Sequence, residues 1–220
     1  MNNQIMRNLP TEEKLLEQQK GWHLFYLFPI LYVISIYLIP FFLFAESGSV
    51  FSYMIVLPVL LGILNIIVAI VFSKPENRIM MLNAAVLIKY SLIPFFVLGG
   101  VFIACSLLLS FIPVPFMVFL GLPMALISSV IGWLALAMEA PYMIAYLRLS
   151  VKASVCSKGM AVVHTILQFF FTLDVIDTFI LLFKEKKWIK LTIIVMVLLV
   201  MMIILLGVLI ALLIIGAVFG

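Results

Sequence analysis

Six stretches of this chain, residues 23–45, 50–73, 79–111, 116–138, 160–183 and 191–219, are apolar over lengths that can cross a bilayer, and only short polar segments separate them. A spanning helix needs about 20 mostly apolar residues. In hydrocarbon the backbone must satisfy its own N–H and C=O groups, which a helix does within one segment. The pattern predicts an all-α fold: a polytopic integral membrane helical bundle of six transmembrane helices, or five if 160–183 does not cross. Composition points the same way, with 67% hydrophobic and 10% charged residues in 220, whereas a soluble domain has about a quarter charged residues. The expected organisation is a leader, 1–21, and a single transmembrane domain, 22–220.

The leader reads as a cytoplasmic amphipathic segment. Thr11 after Pro10 can cap a helix whose first turn holds Glu12 and Glu13, at the positive end of the dipole. Leu15 and Leu16 can lie against headgroups, and Trp22 stands where an interfacial aromatic belongs. The apolar run that follows, to Ala45, exceeds the roughly 7–15 residues of a secretory signal, so it is expected to remain as the first helix.

Orientation comes from the Lys and Arg residues of the loops. Arg7, Lys14 and Lys20 precede the first span, Lys74 and Arg78 separate the second from the third, and Arg148, Lys152 and Lys158 follow the fourth. The connections at 46–49 and 112–115 have no Lys or Arg. Basic residues thus alternate with the crossings and place the N-terminus in the cytoplasm; the chain looks like a small polytopic bacterial membrane protein, so a bacterial plasma membrane is the expected location. Lys184, Lys186, Lys187 and Lys190 break the alternation if 160–183 crosses. If that segment lies at the interface or dips in and returns, every basic cluster is cytoplasmic and the C-terminus is outside.

Ionisable residues within apolar spans are costly unless paired or hydrated, which makes them candidate functional groups. Asp174 and Asp177, with His164 and Gln168 upstream, form one such set, and Lys89 lies within the third span. The two acids, one helical turn apart, could share a proton or bind an ion beside a histidine that titrates near neutrality. The favoured reading is that they pair with Lys89, Arg148 or Lys184 and simply lock helices together, because buried charges usually occur paired. Glu139 and Arg148 are expected at the cytoplasmic boundary of the fourth span, where Glu139 reaches headgroup water or, alternatively, contacts a substrate. Small residues at Gly100 and Ala104, Gly121 and Ala125, and Gly207 and Ala211 are spaced for close helix packing; the last pair marks a candidate intermolecular face.

No cofactor or metal site is expected, because the histidines are His23 and His164 alone and no Cys–His zinc spacing or nucleotide-binding motif occurs. Asp174, Val175, Ile176 and Asp177 depart from the paired acids of the CDP-alcohol phosphotransferases, since Thr178 stands where that motif requires glycine. The basic residues flank apolar segments and form no basic face, so the bilayer is the expected partner and nucleic acid is not. Another membrane protein or a second copy of the chain is a further expected partner. The expected function is that of a non-enzymatic membrane component or accessory subunit acting through protein–protein contacts. The alternatives are a small ion- or proton-coupled transporter or channel using Asp174 and Asp177, and a lipid-active membrane enzyme.

Overall fold

The structure, a computed structural model, describes residues 25–39, 48–111 and 116–219. Among these residues it is all-α, without strands. The helices are α1 (Phe25–Ile39), α2 (Gly48–Val71), α3 (Arg78–Ser110), α4 (Met117–Lys152), α5 (Lys158–Leu167), α6 (Leu173–Glu185) and α7 (Ile189–Phe219). The leader 1–21, Trp22, residues 40–45 of the first apolar run and the connection 112–115 lie outside the described residues. The chain divides into two compact units between Phe171 and Thr172.

In the first unit α3 and α4 form an antiparallel hairpin. Far along it Ser106 meets Gly121, midway Lys89 meets Glu139, and at the other end Arg78 meets Ser150. At 1.5 Å per residue α3 and α4 are each about 50 Å long, well beyond a hydrocarbon core of about 30 Å. The stretches Pro75–Ser110 and Val118–Lys152 are long and apolar enough to cross a membrane.

Pro94, Pro123 and Pro141 lie inside these helices without ending them. A proline removes one backbone donor, and packing against neighbours carries the helix past it. At Pro141 that packing is visible, because Tyr142, Met143, Tyr146, Leu147 and Leu149 beyond it are all buried. The fourth apolar run therefore does not end as a helix at residue 138. It continues to Lys152, and Glu139 lies in the helix interior.

α1 and α2 pack on the half of the hairpin that holds Lys89 and Glu139. The Tyr32 hydroxyl donates to the Ala135 carbonyl at 2.9 Å, and the Tyr37 hydroxyl donates to the Ser91 carbonyl at 2.6 Å. The Phe25 ring meets Phe72 edge-on at 5.4 Å and Tyr142 at 5.6 Å between centroids. On α2 a Cβ at Gly62 would run into the Met138 side chain, so glycine allows α2 to approach α4 closely there.

The fifth apolar run, 160–183, is not one helix. α5 has 10 residues and α6 has 13, about 15 and 20 Å of helix, and each is too short to cross alone. Ser157 caps α5 by accepting from the Met160 N–H at 3.3 Å. Between the helices stand Gln168, Phe169, Phe170, Phe171 and Thr172, a run whose aromatic and β-branched members lose side-chain freedom in a helix. Thr172 has φ 70°, a backbone state that a β-branched residue adopts only under strain.

Candidate functional site

The polar centre of the first unit is an ion pair. Lys89 on α3 and Glu139 on α4 lie 2.9 Å apart, Nζ to Oε1, and both side chains are 0% exposed. Glu139 is thus not the boundary residue reaching headgroup water that its place beside Pro141 suggested, because α4 runs on past it and its side chain is fully buried against Lys89 of α3. Lys89 pairs with this glutamate, 50 residues away in sequence. Two opposite charges in a low-dielectric interior stay ionised only while they satisfy each other, so the pair fastens α3 to α4 at one register.

A second polar contact lies beside it. The Tyr142 hydroxyl, one helical turn beyond Glu139, donates to Asn65 Oδ1 of α2 at 2.8 Å, and both residues are fully buried. The Asn65 side-chain nitrogen has no hydrogen-bond partner among the described residues. With Tyr32 on Ala135, these contacts tie α1, α2 and α3 to one stretch of α4. At the end of the hairpin Arg78 lies over the Tyr146 ring, 5.6 Å from its centroid, and donates to Ser150 Oγ at 3.3 Å.

The other candidate groups fall on two helices. On α5 and at the residue that caps its C-terminus, His164 and Gln168 are buried with Ala161, while Met160, Val162, Val163 and Ile166 are exposed. The Gln168 amide donates to the His164 carbonyl at 3.2 Å. On α6, Asp174, Asp177 and Thr178 are buried, while Leu173, Ile176, Ile180 and Phe183 are exposed. The Thr178 hydroxyl donates to the Asp174 carbonyl at 2.7 Å. Both helices bury polar groups and expose large apolar ones, and α6 buries Phe179, Leu181 and Leu182 beside its two acids. Arg148 is exposed. Among the described residues no three His, Cys, Asp or Glu side chains converge as metal ligands.

The small-residue pairs divide. Gly121 and Ala125 are buried, and a Cβ on Gly121 would run into the Ser106 carbonyl and the Ser110 hydroxyl. Gly100 and Ala104 are exposed instead, and Gly100 and Gly207 have nothing within 4 Å of where a Cβ would lie. Gly100 and Ala104 therefore serve no close helix packing within the described chain, and Gly207, expected on an intermolecular face, stands open. The Ala211 side chain lies outside the described residues.

A family model covers residues 23–187, three quarters of the chain. The chain belongs to DUF6652, a family of unknown function. No curated protein and no solved structure matches it. The matched residues include both members of the Lys89–Glu139 pair, all of α5 and α6 and part of the lysine cluster after α6, and they stop short of α7.

Asn65, Tyr32 and Tyr142 were not among the groups singled out from sequence. Asn65 carried a usable signal, as the lone amide in the apolar run of α2. The tyrosines did not, because in a membrane sequence a tyrosine reads equally well as an interfacial aromatic.

Proposed function

We propose that this DUF6652 member is a multi-pass integral protein of a bacterial plasma membrane, with a cytoplasmic N-terminus, and that it acts as a non-enzymatic component through contacts with another membrane protein. The observation that supports membrane embedding best is the inverted burial. Asn65, Lys89, Glu139, His164, Gln168, Asp174, Asp177 and Thr178 are inside, while large apolar side chains are exposed along every helix. In water, both halves of that arrangement would be unfavourable. In hydrocarbon it is the arrangement of least cost.

We count five crossings, by α1, α2, α3, α4 and α7, with 158–185 embedded but not crossing: α5 and α6 are too short to span, and α1 is counted because the apolar run 23–45 to which it belongs has spanning length in the sequence. On that reading all the basic clusters, including Lys184, Lys186, Lys187 and Lys190, face the cytoplasm, as the positive-inside rule requires. The C-terminus is then outside.

The partner-binding role draws its support from α7. This helix has 31 residues, and from Ile193 to Val208 none of its described side chains is buried. With a photo-crosslinking residue at Val197 or Met201, both exposed, and native-level expression, we expect a crosslinked species containing a second membrane protein. Lipid-sized adducts alone at both positions would overturn the accessory reading.

The buried acids favour a second reading, a small proton- or ion-coupled transporter. Asp174 and Asp177 are 2% and 1% exposed, an expensive placement for groups without a task. That reading expects proton-driven flux in proteoliposomes to fall at least tenfold in Asp174→Asn/Asp177→Asn protein. Flux equal to wild type would remove the two acids from any mechanism.

A further inference from the structure

We propose that the junction between α6 and α7, residues 184–190, binds the phosphate headgroup of an anionic phospholipid in the cytoplasmic leaflet; the choice of leaflet rests on the five-crossing topology above. Four of these seven residues, Lys184, Lys186, Lys187 and Lys190, are lysines, and all four are exposed. Glu185 is the one acid among them. Trp188, 48% exposed, supplies an interfacial aromatic in the same turn. On one side lies α6 with its exposed face of Leu173, Ile176, Ile180 and Phe183, and on the other α7, apolar and with no described side chain buried from Ile193 to Val208. The lysines therefore occupy a polar turn between two apolar helical surfaces, at the depth where headgroup phosphates lie.

The backbone adds a second observation. α6 ends in a Schellman turn, in which the Lys186 N–H donates to the Phe183 carbonyl at 3.2 Å and the Lys187 N–H to the Leu182 carbonyl at 3.1 Å. Lys186 holds the left-handed position of that turn, with φ 53° and ψ 32°, and Trp188 is also left-handed, at φ 55°. Glycine is the usual occupant of the left-handed position, because other L-residues are strained there. A lysine in that place keeps a cationic residue in the turn, next in sequence to Lys187, at the expense of local backbone comfort. The C-terminal carbonyls of α6 further favour cationic side chains at this end. The occupant that fits is a lipid whose phosphate meets the ammonium groups while its acyl chains cover the apolar face of α6.

The test is lipid retention by the full-length protein in mild detergent, read by native mass spectrometry with phosphatidylglycerol and phosphatidylcholine added at equal concentration. Wild type is expected to retain phosphatidylglycerol at least tenfold over phosphatidylcholine. Lys184→Gln/Lys186→Gln/Lys187→Gln/Lys190→Gln should lose that preference and retain the two lipids equally. Lys74→Gln/Lys152→Gln/Lys158→Gln should keep it. Lys186→Gly, which gives the turn its favoured residue and so preserves the fold, should lose about fivefold. A quadruple variant that still prefers phosphatidylglycerol, a Lys186→Gly variant equal to wild type, or displacement of the lipid by millimolar inorganic phosphate would overturn the proposal. Paired topology reporters fused to Gly220 separate the two readings. An inside C-terminus refutes five crossings and the cytoplasmic leaflet, whereas an outside C-terminus with equal retention of both lipids refutes the lipid site alone.

Discussion

Lys89→Met protein should be less stable than wild type by about 3–5 kcal/mol, Glu139→Leu protein by a similar amount, and the double variant should recover most of the loss. Each single substitution leaves a fully buried charge, since both side chains are 0% exposed and 2.9 Å apart. The surviving ion must then neutralise, draw in water or push the helices apart. The double variant removes both charges and fills the space with side chains of similar length, which at buried pairs is often neutral or stabilising. The measurement is the unfolding midpoint of the four proteins in one detergent, analysed as a double-mutant cycle. Simple addition of the two single losses in the double variant would show that the two residues do not depend on each other. A pair that serves only to lock the helices should also leave partner crosslinking unchanged in the double variant.

That pair shows how far the sequence could be read. Lys89 was visible as a charge in an apolar run, and its need for a partner followed from physics. The identity of the partner did not, because it depends on the register of an antiparallel hairpin whose members lie 50 residues apart. Glu139 was misplaced because Glu followed closely by Pro looks like a helix end, and only the packing of Tyr142, Met143 and Tyr146 reveals that α4 continues.

The break after Leu167 escaped for another reason. Phe169, Phe170 and Phe171 are as hydrophobic as a span requires, so the run has the right length and apolarity for one crossing. Its failure to remain helical lies in backbone conformation, at Thr172 with φ 70°, which hydrophobicity does not report. The long helices were legible for the opposite reason. α3 is apolar over more than one membrane thickness and matches its expected span 79–111 closely, whereas α4 was legible as a helix but not in its extent beyond residue 138.

Gly121→Val should destabilise the protein by about 1–3 kcal/mol, the usual range for overpacking a tight contact, while Gly100→Val should stay within about 0.5 kcal/mol of wild type. The two glycines have the same spacing to a following alanine, so sequence treats them alike. At Gly121 a Cβ would meet the Ser106 carbonyl, which is backbone and cannot rotate away, and the Ser110 hydroxyl, itself committed to the Ser106 carbonyl at 3.1 Å. The helices must move apart, and α3 and α4 lose contact where the hairpin is tightest. At Gly100 the added side chain enters open space, and if α3 spans the membrane as proposed, valine in place of glycine adds only apolar surface to lipid. Unfolding midpoints of the two variants in one detergent decide the matter. Equal losses would mean that small-residue spacing alone, and not the close approach at Ser106, sets the cost.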